Sequence, residues 1–152
     1  MRLSERNKQP VYYALYQSTE LVKDENDLYT GEAVPVYAPV ACERMVVGIN
    51  TGSAVLEQFG INDSFSVKLA TDNTDCPIDT SSVMWLGLGY INKYVDGRTY
   101  RDGDIAIKNG KIQKYVDGEK PEWNEVPYNH AVVRVSKSLG YITYLVKDVS
   151  VS

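Results

Sequence analysis

Histidine and cysteine are almost missing from this 152-residue chain, which has one of the first, His130, and two of the second, Cys42 and Cys76. The cysteines form no CxxC pair, and in a reducing compartment they read as two free, part-buried thiols. His130 follows Asn129 at the start of an apolar stretch, and no G-x-S-x-G nucleophile motif accompanies it, so it reads as an ordinary surface or edge histidine. A Walker sequence is also lacking, and Gly87-Leu88-Gly89 is too short to cradle a phosphate. No run approaches the roughly 18 apolar residues that a membrane helix needs. The first eight residues, Met1-Arg2-Leu3-Ser4-Glu5-Arg6-Asn7-Lys8, have no apolar segment of the kind a signal peptide carries. A chain of this kind is expected to be made in, and to stay at first in, a cytoplasm. There is no basic excess either. A formal charge of −4 argues against a non-specific grip on nucleic acid, which depends on counterion release by a basic surface.

What is present is tyrosine, twelve residues against two Phe and two Trp. Tyrosine buries a ring while keeping a hydroxyl for a polar partner, which suits half-wet sheet faces and interfaces. With 43% hydrophobic and 24% charged residues the chain has enough apolar material for a core and is not disordered over most of its length. The length fits one domain, residues 1–152.

Period-two patterning dominates. Residues 1–9 are polar and read as an N-terminal arm, since Pro10 interrupts what precedes the first strand, Val11-Tyr12-Tyr13-Ala14-Leu15-Tyr16. Lys23-Asp24-Glu25-Asn26-Asp27 is an exposed charged loop, and Pro35 and Pro39 confine the next segment to an edge or an extended connection. Met45, Val47 and Ile49 share one face of a half-buried strand; Phe65, Val67 and Leu69 share one face of another. Between them lies a loop, Thr51 to Asp63, in which Ser53 can cap and Gly60 can end one or two helical turns. Asp72-Asn73-Thr74-Asp75-Cys76-Pro77 is a turn, followed by a short apolar strand, Val83-Met84-Trp85-Leu86.

Lys93-Tyr94-Val95-Asp96-Gly97 recurs as Lys114-Tyr115-Val116-Asp117-Gly118. Two copies are too few for a solenoid, so each reads as a strand ending in an Asp-Gly turn. Asn109-Gly110 between them is the strongest hairpin signal in the chain and sets Ile107 opposite Ile112. Residues 93–118 therefore read as a meander, and 119–127 as a loop anchored by Trp123. From His130 the chain reads as a long hairpin, with Ala131, Val133 and Val135 on one face, Ile142, Tyr144 and Val146 on the matching face, and a bulge near Lys147-Asp148. The fold class is all-β: a small β-barrel or sandwich with long loops and at most one short helix.

Asp72, Asp75 and Asp79 lack the spacing of a calcium loop and read as a solvated turn. No pair of carboxylates stands out for glycoside chemistry. The expectation is a non-enzyme, with no catalytic, cofactor-binding or metal-binding residues and no cofactor.

Four segments carry a resemblance: Gln9-Pro10-Val11-Tyr12-Tyr13-Ala14, Glu57-Gln58-Phe59-Gly60, Thr74-Asp75-Cys76-Pro77-Ile78-Asp79 before a Trp-bearing strand, and Val135-Ser136-Lys137-Ser138-Leu139. In this order the chain resembles the head-closure proteins, the head-tail connector or stopper components of long-tailed phages and prophages of Gram-positive bacteria. The similarity covers about residues 9–92 and 128–152, leaving the meander and loop at 93–127 as an elaboration. It implies a virion structural protein, located in the head-tail neck and made in the bacterial host. Such a subunit forms a homo-oligomeric ring, contacts portal or adaptor and tail proteins, and closes the channel on DNA that passes without sequence-specific binding; no membrane is involved. It also implies a channel or assembly-interface loop, loosely matched to Asn50, Thr51, Val55, Leu56, Glu57, Gln58 and Phe59. The arm is expected at inter-subunit contacts. The rival expectations are a neighbouring neck or tail-completion protein and, from another class, a small-molecule or carbohydrate-binding β-barrel with a tyrosine-lined pocket.

Overall fold

Alternating apolar residues need a sheet that buries one face, and a small all-β chain removes its sheet edges best by closing on itself. The computed structural model describes residues 7–49 and 67–149. In chain order its strands are β1 (Lys8–Ala14), β2 (Tyr16–Lys23), β3 (Tyr29–Tyr37), β4 (Ala41–Ile49), β5 (Val67–Thr71), β6 (Val83–Trp85), β7 (Ile105–Lys108), β8 (Lys111–Val116), β9 (Glu122–Glu125), β10 (His130–Ser138) and β11 (Tyr141–Asp148). The described residues contain no α-helix. Six strands close a barrel in the order β1-β4-β5-β11-β10-β6, and β6 returns to β1. Every neighbouring pair is antiparallel. Of barrel and sandwich, the chain forms the barrel.

One core cluster takes the inward residues of all six strands: Val11 and Tyr13, Met45, Leu69, Met84, Val132, and Ile142, Tyr144 and Val146. Met45 and Leu69 are fully buried, as the alternation in β4 and β5 requires. The turn after β5 folds back and adds Cys76 and Ile78 to the same cluster. Lys8 Nζ secures that turn to the start of β1, 2.9 Å from Asp72 Oδ1.

Several expectations need correction. β1 begins at Lys8, so residues 8 and 9 belong to the barrel and not to an arm. Pro10 lies inside β1 at a level that β6 does not reach: β6 pairs only with Tyr12–Ala14, so among the described residues one edge of β1 is unpaired at Pro10, the setting in which a strand tolerates proline. The bulge lies in β10, where Val132 pairs with Val146 but Arg134 with Leu145. β11 keeps strict alternation, so β10 must gain a residue for Val132 and Val135, three apart, both to reach the core. The 119–127 segment is not all loop, since Glu122–Glu125 forms β9 against β8.

The Asn109-Gly110 hairpin has the expected register, with Ile107 opposite Ile112. Asn109 and Gly110 have φ of 56° and 75°, the paired left-handed conformation of a tight type I′ turn. The turn also docks: Val40 N–H donates to Gly110 C=O at 2.8 Å, and a Cβ on Gly110 would come within 3.1 Å of Pro39 Cβ. The resulting β7-β8-β9 sheet packs Ile105, Ile107 and Ile112 on the outer faces of β1 and β6, against Tyr12, Ala14, Val83 and Trp85. This is why β6 is buried on both faces.

The two KYVDG copies diverge. Lys114-Tyr115-Val116 lies in β8, between two partner strands, whereas Lys93-Tyr94-Val95 only skirts the β7 edge, with one bridge from Lys93 to Ile107. Their tyrosines still meet at Trp123, whose ring centroid is 5.5 Å from that of Tyr94 and 5.3 Å from that of Tyr115.

Met84 is fully buried and joins both sides of the barrel seam. Met84→Ala should lower unfolding stability by about 2–5 kcal/mol, whereas Tyr90→Ala, at a position 70% exposed, should change it by no more than about 0.5 kcal/mol. Urea titration of the two variants measures the difference.

Candidate functional site

The expected channel or assembly loop, Asn50, Thr51, Val55, Leu56, Glu57, Gln58 and Phe59, lies outside the described residues. Its supports do not: β4 and β5 are neighbours, with Ile49 opposite Val67, so the loop leaves and re-enters the barrel at adjacent strands.

Between β1 and β4 the chain departs from the barrel as a two-stranded ribbon, β2 with β3. Almost every residue of this ribbon is exposed, on both faces. Its apolar residues are exposed with it: Leu28 and Tyr29 are each 63% accessible, Leu21 58% and Val34 45%. A lone hairpin of this kind has no core of its own and is at best marginally stable in water. Its turn is nonetheless closed by hydrogen bonds. Asp24 Oδ1 accepts from the Asn26 and Leu28 N–H groups, Asp24 N–H donates to Leu28 C=O at 2.8 Å, and Asp27 takes a φ of 64°. Lys23 pairs with Asp27 and lies 5.1 Å over the Tyr29 ring.

At the base of the ribbon a cleft of about 810 Å³ opens between β3, the end of β6 and the Asn109-Gly110 turn. Tyr37, Trp85 and Tyr128 line it with Pro39, and Tyr128 meets both other rings edge-on at 6.2 and 6.3 Å. The Trp85 indole N–H is committed to Val126 C=O at 2.8 Å, so it offers a face and no donor. Burial, with Tyr128 beside it, raises the Tyr37 pKa. Glu20, Glu125 and Lys111 supply charge, with Lys111 Nζ 3.6 Å from Glu125 Oε2. A smaller cleft of about 500 Å³ adjoins across Pro39 and Gly110 and adds Lys93 and Lys108. Lys108 lies 5.1 Å over the Tyr94 ring, at the edge of the Tyr94, Tyr100, Tyr115 and Trp123 cluster.

The residues suspected of chemistry are placed apart. Asp72 pairs with Lys8, while Asp79 accepts from Ser81 N–H and the Ser82 hydroxyl. Asp75 is exposed, its N–H held by Asn73 Oδ1. Among the described residues no three of His, Cys, Asp or Glu converge as a metal site. Cys42 is exposed on the barrel and Cys76 buried in the core, and both are free. Inside the barrel Thr71 Oγ1 donates to Glu43 at 3.1 Å, while the buried Tyr144 hydroxyl lies near Cys76 without a well-formed hydrogen bond. Burial raises the Tyr144 and Tyr13 pKa values, keeping both phenols neutral. No family model, curated protein or solved structure matches this chain.

The exposed ribbon was not legible as a unit, because Lys23 to Asp27 reads only as a charged loop. The available signal was apolar residues in both strand phases beside it, Leu21-Val22 and Leu28-Tyr29, which no half-buried strand needs. The cleft gave no signal, since Tyr37, Trp85 and Tyr128 come from three distant segments.

His130 is half-buried at the barrel seam, its Nδ1 2.7 Å from Asn129 Oδ1. Burial lowers its pKa, partly opposed by Asp148 across the strand pair. The unfolded chain then binds this proton more readily than the folded one, so the contribution is complete above the ordinary value of about 6.5 and lost as pH falls through it. Urea midpoints measured from pH 7.5 to 5.5 should fall more steeply for the natural chain than for His130→Gln.

Proposed function

We propose that the chain is a structural assembly subunit of a virion neck, a head-closure protein that forms a ring at the head-tail junction and closes the DNA channel. The observation that carries this reading is the β2-β3 ribbon, which projects from a closed barrel and exposes Leu21, Leu28, Tyr29 and Val34 with no core beneath them. Exposed apolar side chains grouped on one projecting element mark a protein-protein contact. A small barrel with a projecting element is suited to a ring, in which one surface of each copy meets a different surface of the next. The net charge of −4 suits a channel past which DNA slides without counterion-releasing adhesion. The segment carrying Val55, Leu56 and Phe59 lies in the sequence between β4 and β5, which pair in the barrel. A neighbouring role in the same neck, as a tail-completion protein, draws on the same features.

A second reading, a small-molecule or carbohydrate-binding barrel, is favoured by the cleft lined by Tyr37, Trp85 and Tyr128. Aromatic faces beside carboxylates suit a sugar ring. That reading requires a stable monomer and a cleft that responds to added saccharide.

Labelling the protein in intact particles and imaging them should place it in a ring at the capsid vertex; its absence from that vertex would end the connector reading. Changing Val55, Leu56 and Phe59 together to Ser should leave the chain folded by circular dichroism while particles fail to retain DNA. Normal DNA retention would remove the loop from the mechanism.

A further inference from the structure

The ribbon tip and the cleft complement each other, yet they cannot meet within one chain. The tip carries Leu28 and Tyr29, both 63% exposed, with Asp24, Glu25 and Asp27 outnumbering Lys23. The cleft and its smaller neighbour offer Tyr37, Tyr128 and Pro39 as an apolar floor, and Lys93, Lys108 and Lys111 outnumber Glu20 and Glu125 around it. The ribbon itself forms one wall of that cleft, through Glu20 and Pro35 to Tyr37. Beyond Glu20 the paired strands run on for three residues to Lys23, roughly 10 Å at the rise of an extended strand. A tip held out by its own ladder cannot fold back into the cleft that the ladder bounds.

We propose that the ribbon tip of one copy docks in the cleft of the next. Leu28 and Tyr29 lie against Tyr37, Tyr128 and Pro39, and the tip carboxylates face the lysines that flank Asn109-Gly110. This inference rests on the reading of the chain as a ring subunit and supplies the contact that joins the subunits. Donor and acceptor are different surfaces, so the contact is head-to-tail and generates a closed ring when the rotation between copies closes. Within the turn Asp24 accepts from Asn26 and Leu28 N–H, which presets the backbone of the tip, so the ordering on docking falls on the ribbon strands rather than on the turn. The lysine rim and acidic tip also fix the direction of the tip in the cleft, which an apolar contact alone would leave open.

The test uses the full chain carrying Cys42→Ser, because Cys42 is the exposed thiol. Leu28→Cys and Lys111→Cys are prepared as separate proteins, mixed at high concentration under mild oxidation, and analysed beside light scattering. The expected result is a disulfide-linked dimer from the mixture and a ladder of multimers from the double variant. Leu28→Ser should weaken self-association by about tenfold or more. Glu25→Lys and Lys111→Glu should each weaken it roughly two- to fivefold, and together restore it. A solution that assembles by scattering but yields no such disulfide would overturn the docking while leaving the ring reading intact. A chain that stays monomeric at high concentration would also overturn it, since the ring reading is decided separately by imaging at the capsid vertex.

Discussion

A strand of three residues closes this barrel. Met84 is paired with Tyr13 on one side and His130 on the other, and it is also the inward residue that fills the core at the seam. So short a strand cannot cover the edges of β1 and β10 by itself, and side chains extend it. The Asn129 carboxamide accepts from Leu86 N–H and donates to Leu86 C=O, both at 2.9 Å, as a further strand residue would. The Trp85 indole holds Val126, whose own N–H donates to Ile112 C=O in the meander. On the β1 side the Tyr12 hydroxyl accepts from Ile91 N–H at 2.6 Å. The meander, an elaboration by sequence, is therefore the cover without which Tyr12, Ala14, Val83 and Trp85 would face water.

A barrel closed and covered in this way has few edges left to offer, and that gives the β2-β3 ribbon its significance. Among the described residues its strands pair only with each other and both faces are solvated, while Ala38 N–H to Leu15 C=O fixes its base at 2.7 Å. Natural sheets usually protect such edges. Here β3 has Pro35, and β2 carries one extra residue between Tyr16 and Ser18, but Leu21, Leu28 and Tyr29 stay in the open. Among the described residues the ribbon is an apolar projection from a closed barrel with the aromatic cleft at its base, and these are the two surfaces that the proposed assembly would join.

The all-β class was legible because burial on one face imposes a period of two, and Met45, Leu69, Ile142, Tyr144 and Val146 follow it; alternation left barrel and sandwich open, since both bury one face of each strand. The Asn109-Gly110 turn was legible because few dipeptides accept two left-handed residues in succession. Position along a strand was less so. Pro10 suggested a boundary, but a proline is harmless where the neighbouring strand is short. The β10 bulge was displaced because alternation within one strand does not reveal where its partner forces an extra residue. The identical KYVDG segments diverge because a strand needs partners on its edges as well as propensity. The cleft depends wholly on tertiary assembly of Tyr37, Trp85 and Tyr128, and no local pattern encodes it.

The central claim is that the ribbon lacks a core of its own and is completed by a partner. Amide hydrogen exchange measures this directly, by comparing Ser18 to Lys23 in β2 with Ile142 to Val146 in β11, first in the isolated chain and then after assembly. The account predicts fast exchange of the ribbon and slow exchange of β11 in the isolated chain, with the ribbon amides becoming protected on assembly. Ribbon amides as protected as those of β11 in the isolated chain, or unchanged on assembly, would contradict it.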